Sequence, residues 1–171
     1  MYEKRYTEYV FICVDYYKIM LYNINMRIYL DHCAFNRPFD EQKSIKIQLE
    51  TSAKLYIQNQ IKLGKYDLVW SYMSDLENYY NPNIESKKSI QLWELIAKYK
   101  CKSSDNILVL GSKLKQKGIR TKDSLHIACA VESKCDYFIT TDNGLLNKNV
   151  ESIKILNPID FIREMEESNE D

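Results

Sequence analysis

The feature that most constrains this chain is a set of short aromatic and β-branched runs: "RIYLD" at 27–31, "DLVWS" at 67–71, "YFIT" at 137–140 and "IKIL" at 153–156. Longer stretches of helical periodicity separate them. Strands that alternate with helices need crossover connections. Right-handed crossovers lay the strands parallel and cover both sheet faces with helices. The expected class is therefore α/β, with a buried parallel sheet.

The helices are read from spacing. Ile45, Leu49, Leu55 and Ile57 recur at loosely helical intervals over 40–64, and Gly64 supplies a stop. "YMSDLENYY" continues the second strand as a helix that must end before Pro82, because proline disfavours helical geometry in the residue ahead of it. Residues 86–98 are amphipathic through Ile90, Leu92, Trp93 and Ile96, and a brief strand follows over 99–102. "NILVLGSKLKQKG" mixes strand and helix signals. Ile107, Leu110 and Leu114 decide for helix, with Ser104 or Asp105 as cap. "TKDSLHIACAVESK" is a helix with Thr121 as cap, and Pro158 opens a last helix whose acidic tail frays.

Composition limits the partners. A length of 171 residues fits one domain, and 24 basic against 24 acidic side chains leave no general field for polyanions. Nucleic acid would need a local patch. Lys113, Lys115, Lys117, Arg120 and Lys122 form the densest basic stretch; such a run is ordinarily a solvated face, but beside a metal crevice it can hold a phosphate backbone. Five scattered cysteines without a CxxC pair argue against a disulfide frame or a structural zinc, and fit a reducing cytoplasm. The apolar run at 9–22 is short and interrupted by Asp15 and Lys18, so neither a signal nor a membrane segment is expected. Residues 1–25 read as an extension preceding the domain.

In open parallel sheets, ligands sit beyond the carboxyl ends of the strands. Asp31 closes the first strand, Glu77 lies on the helix leaving the second, Asp142 follows "YFITT", and Asp123 stands in the first turn of the helix feeding that strand. Singly, each has an ordinary reading: turn residues for Asp31 and Asp142, a helix-dipole partner for Asp123, a solvated helix residue for Glu77. Together they converge on one edge, where four carboxylates repel one another unless a divalent cation neutralises them. Oxygen donors favour Mg2+ or Mn2+ over zinc, and such a centre suits phosphodiester hydrolysis. His32, following Asp31 on a strand, is expected to diverge from it. His126, one helical turn from Asp123, reads as a packed or exposed histidine. Cys33 lacks an evident base and reads as packing, and Asp136 reads as a structural cap at the opposite edge.

"YLDHCAFNRPFD", "LVWSYMSDLEN", "TKDSLHIACAVESKCDYFITTDNGLL" and "IKILNPIDFI" together resemble a PIN domain over roughly residues 26–165, leaving 1–25 as an extension and 166–171 as an acidic tail. The resemblance implies a Rossmann-like three-layer domain, a central parallel sheet flanked by helices, that binds Mg2+ or Mn2+ and cuts single-stranded RNA. It assigns catalytic and metal-binding roles to Asp31, Glu77, Asp123 and Asp142. PIN domains include toxins of prokaryotic toxin–antitoxin pairs and often dimerise, so an antitoxin protein and a second copy are implied partners. Many PIN toxins carry serine, threonine or asparagine two places after the first aspartate. Cys33 stands there, a poor hydrogen-bonding partner. The loop "CAFNRPFDEQ" resembles a subgroup of PIN proteins, and in it Asn36 and Arg37 either touch substrate phosphates or fix the loop. Arg120 and Lys122 are the other candidate substrate contacts. Two alternatives stand beside the metal-dependent endoribonuclease: a non-cleaving PIN-fold module that binds RNA or protein, and, more weakly, an aspartyl-phosphate phosphatase, which would need a second aspartate where Cys33 lies.

Overall fold

The computed structural model describes residues 25–168. The extension expected over 1–25 lies outside them except for Asn25, as do residues 169–171 of the tail. Asn25 Nδ2 donates to the Gly64 carbonyl at 2.7 Å and to Asp67 Oδ1 at 3.1 Å, which ties it to the start of the second strand.

Five strands, β1 (Met26–Leu30), β2 (Tyr66–Ser71), β3 (Tyr99–Cys101), β4 (Tyr137–Ile139) and β5 (Lys154–Leu156), form one all-parallel sheet in the order β3-β2-β1-β4-β5. From β1 the chain runs outward to β2 and β3, then returns to lay β4 on the other side of β1. The connections leaving β1 and β4 therefore part in opposite directions, which opens a crevice at their carboxyl ends. This is the Rossmann-like three-layer α/β architecture expected from the sequence.

Helices α1 (His32–Asn36), α2 (Ile45–Lys62), α3 (Tyr72–Tyr79), α4 (Ile84–Ile96), α5 (Asp105–Gln116), α6 (Thr121–Glu132), α7 (Asn143–Leu146) and α8 (Pro158–Glu167) connect or follow the strands, and a 3-10 turn spans Arg37–Phe39. Period-two alternation divides the strand residues between two cores. Tyr29, Val69 and Phe138 face α5 and α6, packing with Ile107, Leu114 and Ile127. Ile28, Leu30, Leu68, Trp70 and Ile139 face the other way, onto Ile57 and Ile61 of α2, Ile90 and Trp93 of α4, and Phe161 of α8. The Tyr29 and Phe138 rings stack with centroids 5.2 Å apart, joining β1 to β4 at the middle of the sheet.

Local chemistry explains where the helices begin. Ser104 accepts from the Ile107 amide at 3.3 Å, as expected of a cap, and Asn157 accepts from the Ile159 amide at 3.0 Å ahead of Pro158. Thr121 is not the cap of α6: it is the first helical residue, the cap position belongs to Arg120, and no side chain caps it. Nor does α2 begin at 40. Residues 37–44 turn, and the helix starts at Ile45.

The buried stripe of α2 differs from the apolar one. Ile45, Leu49 and Leu55 are exposed, while Glu50, Ala53, Lys54, Ile57, Gln58 and Ile61 face inward. Glu50 is accommodated because Arg37 Nε lies 2.9 Å from Oε2 and Asn157 Nδ2 donates to Oε1 at 2.7 Å. Among the described residues no helix is long and apolar enough to cross a membrane, and the four cysteines there are free thiols.

Candidate metal centre

Asp31 directly follows β1. Its amide continues the sheet by donating to the Ile139 carbonyl at 2.9 Å, and its side chain caps α1, Oδ1 accepting from the His32 amide at 2.7 Å. His32 is thus the first residue of a helix and not a strand residue. The turn removes the expected divergence of the two side chains. Thr140 Oγ1 donates to Asp31 Oδ2 at 2.7 Å and accepts from the Asp142 amide at 3.1 Å, so one buried hydroxyl couples the ends of β1 and β4. The two threonines and the aspartate that end the β4 segment are this junction. Cys33 also meets Asp31, its Sγ 3.1 Å from Oδ2 and 3.1 Å from Thr140 Oγ1. It is a closer companion to the carboxylate than a weak donor suggests. Burial, then the Asp31 charge, pushes its thiol up, away from any nucleophilic role.

A cleft of about 420 Å³ opens at this edge, lined by Asp31, Cys33, Glu77, Arg120, Thr121, Lys122, Asp123 and Asp142. The four carboxylates picked out in the sequence share it. They come from the end of β1, from α3, from the first turn of α6 and from the start of α7.

Within the cleft the carboxylates fall into two groups. Asp123 and Asp142 are bridged by Arg120, whose Nε lies 2.8 Å from Asp123 Oδ2 and whose Nη2 contacts Asp142 Oδ2. Asp142 also caps α7, accepting from the Gly144 amide at 2.7 Å. Burial works to raise the Asp142 carboxyl, but that amide and the guanidinium outweigh it and leave it low. Asp123 goes the other way: burial raises its carboxyl, Asp31 and Asp142 add to the rise, and Arg120 opposes it.

Asp31 and Glu77 form the second group, together with His126. One carboxylate oxygen from each and a ring nitrogen of His126 all lie within 4.8 Å of one another. Glu77 Oε2 stands 3.3 Å from His126 Nε2, and Oε1 stands 3.5 Å from Lys122 Nζ. Burial acts to raise the Glu77 carboxyl, and His126, His32 and Lys122 together more than reverse it. The donor set fits a divalent cation: two carboxylates, a buried imidazole, and an Nε2 that has no hydrogen-bond partner among the described residues. Sequence reasoning left His126 out. A lone histidine on an apolar helix face reads as packing, and only its fully buried position opposite α3 marks it.

The loop candidates are engaged elsewhere. Arg37 pairs with Glu50 and with Asp40 at 2.8 Å, and Asn36 Oδ1 accepts from Asn81 Nδ2 at 3.0 Å. Both brace the loop after α1 within the fold. Lys122 is exposed at the cleft rim, and the Arg120 side chain is 68% exposed. Asp136 accepts from the Arg27 amide at 2.7 Å at the opposite sheet edge.

Fold and cleft define the class: an α/β domain with an acidic crevice at the switch point of a parallel sheet. The sequence matches no family model and no curated protein. Among solved structures, the chain is similar to the crystal structure of VapBC2 from Rickettsia felis bound to a DNA fragment from their promoter. The TM-score is 0.48, with 14% identity over 77% of this chain and 98% of that chain.

Proposed function

We propose that this protein is a divalent-cation-dependent endoribonuclease of the PIN type that hydrolyses phosphodiester bonds of single-stranded RNA, with residues 26–165 as the nuclease unit. The observation that carries the reading is that Asp31, Glu77, Asp123 and Asp142, drawn from separate elements, line one cleft at the switch point. Asp31 and Glu77 would hold the cation, with Asp123 and Asp142 completing the acidic wall. When bound, Mg2+ or Mn2+ neutralises these carboxylates and polarises a scissile phosphate as a Lewis acid.

The chain's own groups do the rest. Thr140 fixes Asp31 by donating to Oδ2, holding the carboxylate where it lines the cleft. Lys122 and Arg120 at the rim attract and align the phosphate backbone, and Lys113 and Lys115 on α5 and Lys117 just past its end are exposed as well. No covalent enzyme intermediate is needed, and burial pushes the thiol at the cleft up, away from a nucleophilic role. The toxin role, with an antitoxin partner, and a cytoplasmic site of action extend this reading on the strength of the sequence resemblance.

A second reading, a non-cleaving module, is favoured by one observation: the Arg120 guanidinium already neutralises Asp123 and Asp142. Cleavage of a fluorescent single-stranded RNA, with and without MnCl2, separates the two. Manganese-stimulated cleavage that Asp31→Asn and Asp123→Asn both abolish supports the nuclease. Manganese that neither binds nor stimulates supports the module.

A further inference from the structure

We infer that His126 is a direct ligand of the cation, through Nε2, and that the primary site is therefore a mixed nitrogen and oxygen centre of Asp31, Glu77 and His126 that prefers Mn2+ to Mg2+. The inference rests on the nuclease reading for the existence of a cation and goes beyond it in the identity of the donors.

His126 is 1% exposed on α6, and its two ring nitrogens meet different surroundings. Nδ1 lies 2.6 Å from the hydroxyl of Tyr29, a fully buried residue of β1, and that hydroxyl in turn lies 2.5 Å from Ser71 Oγ and 3.3 Å from Ser74 Oγ. Tyr29 can accept from Nδ1–H and pass its own proton to a serine. In that arrangement the ring adopts the tautomer whose Nε2 carries a lone pair. This is how ligating histidines are usually held, with the far nitrogen engaged by an outer partner.

Nε2 points instead at acid. It stands 3.3 Å from Glu77 Oε2, without a hydrogen-bond partner among the described residues, in the group completed by Asp31. A lone pair facing two carboxylates is satisfied by a proton or by a cation. Donors bound at about 2.1 Å to a common ion stand about 3 to 4.3 Å apart, so the separations of up to 4.8 Å require only a small closure. An imidazole donor then sets selectivity: magnesium favours oxygen-only surroundings, whereas manganese accepts nitrogen more readily. His32 is the rival donor, half-buried at the start of α1, its Nδ1 also without a partner among the described residues.

Electron spin echo envelope modulation on the full chain loaded with MnCl2 alone tests this without any activity readout. Histidine nitrogen modulation, shifted when the protein is grown on 15N-histidine and retained in His32→Gln, is the expected result. Titration calorimetry should also find Mn2+ affinity reduced at least about tenfold in His126→Gln and in Tyr29→Phe, with Mg2+ affinity less affected. Manganese bound without nitrogen modulation, or modulation lost in His32→Gln, overturns the ligand assignment and leaves the nuclease reading standing. Failure of wild-type protein to bind manganese overturns both.

Discussion

Thr140 and Asp31 meet across 109 residues of sequence through a single hydrogen bond of 2.7 Å, buried between the ends of the two central strands. Thr140→Val keeps the shape and removes the donor, leaving Asp31 Oδ2 with Cys33 as its remaining side-chain partner. The expected cost is about 1–3 kcal/mol in urea unfolding, with weaker cation binding by calorimetry. Thr140→Ser should restore both, and a Val variant indistinguishable from wild type would show that the bond does not position the carboxylate.

Asp31→Asn separates site from scaffold. Asparagine caps helices about as well as aspartate, so α1 should persist and the thermal midpoint should stay within a few degrees of wild type. Manganese-stimulated cleavage should fall at least about a hundredfold. A variant that unfolds would mean that the charge, and not the cap, holds the β1 end.

Arg120→Met removes the guanidinium that bridges Asp123 and Asp142. With that positive charge gone, calorimetry at low salt should record tighter Mn2+ binding, by roughly threefold or more, together with weaker binding of single-stranded RNA. Looser cation binding would instead make the guanidinium a brace that holds the acidic wall in shape.

The carboxyls respond to pH in opposite senses. Glu77 and Asp142 are held low in the folded state, so their contribution to stability is present above the ordinary carboxyl range, about pH 4, and is lost as pH falls through their folded values. Asp123 is raised, chiefly by burial, so its ionisation in the fold costs stability once pH climbs out of that range. Asp123→Asn should therefore melt higher than wild type at pH 7, with the gap shrinking toward pH 3. A constant gap across that span would exclude the titration as its cause.

Lys54 is 3% exposed, with its ammonium 5.7 Å from the Phe35 ring centroid, and burial pulls its pKa down to about 7. The unfolded chain binds that proton more tightly, so wild-type stability rises with pH between about 7 and about 10.4. Lys54→Met should stabilise the fold by about 1–3 kcal/mol at pH 6, and the advantage should narrow at pH 9. Guanidinium unfolding at the two pH values measures it.

The sheet was legible because period-two strands between helices leave few alternatives, and the meeting of the four carboxylates at one cleft was legible because Asp31 and Asp142 follow strands, Asp123 lies in the first turn of a helix and Glu77 rides the helix that leaves the second strand. Other parts were hidden for physical reasons. "HCAFN" is too short for periodicity to reveal α1, so the position of His32 was misread. In α2 the apolar residues Ile45, Leu49 and Leu55 point to solvent while the paired Glu50 faces inward, and a pattern of hydrophobicity cannot anticipate partners supplied by Arg37 and Asn157. His126 needed the third dimension: its neighbours Tyr29 and Glu77 come from β1 and α3, far away in sequence.

The strand order has a consequence for biosynthesis. Since β4 is the second neighbour of β1 and arrives after β2 and β3, a growing chain on the ribosome has no closed crevice until residue 142 has emerged and the late strand has slotted in. Whatever chemistry the acidic wall performs is withheld until Asp142, the last of its four carboxylates, has been made.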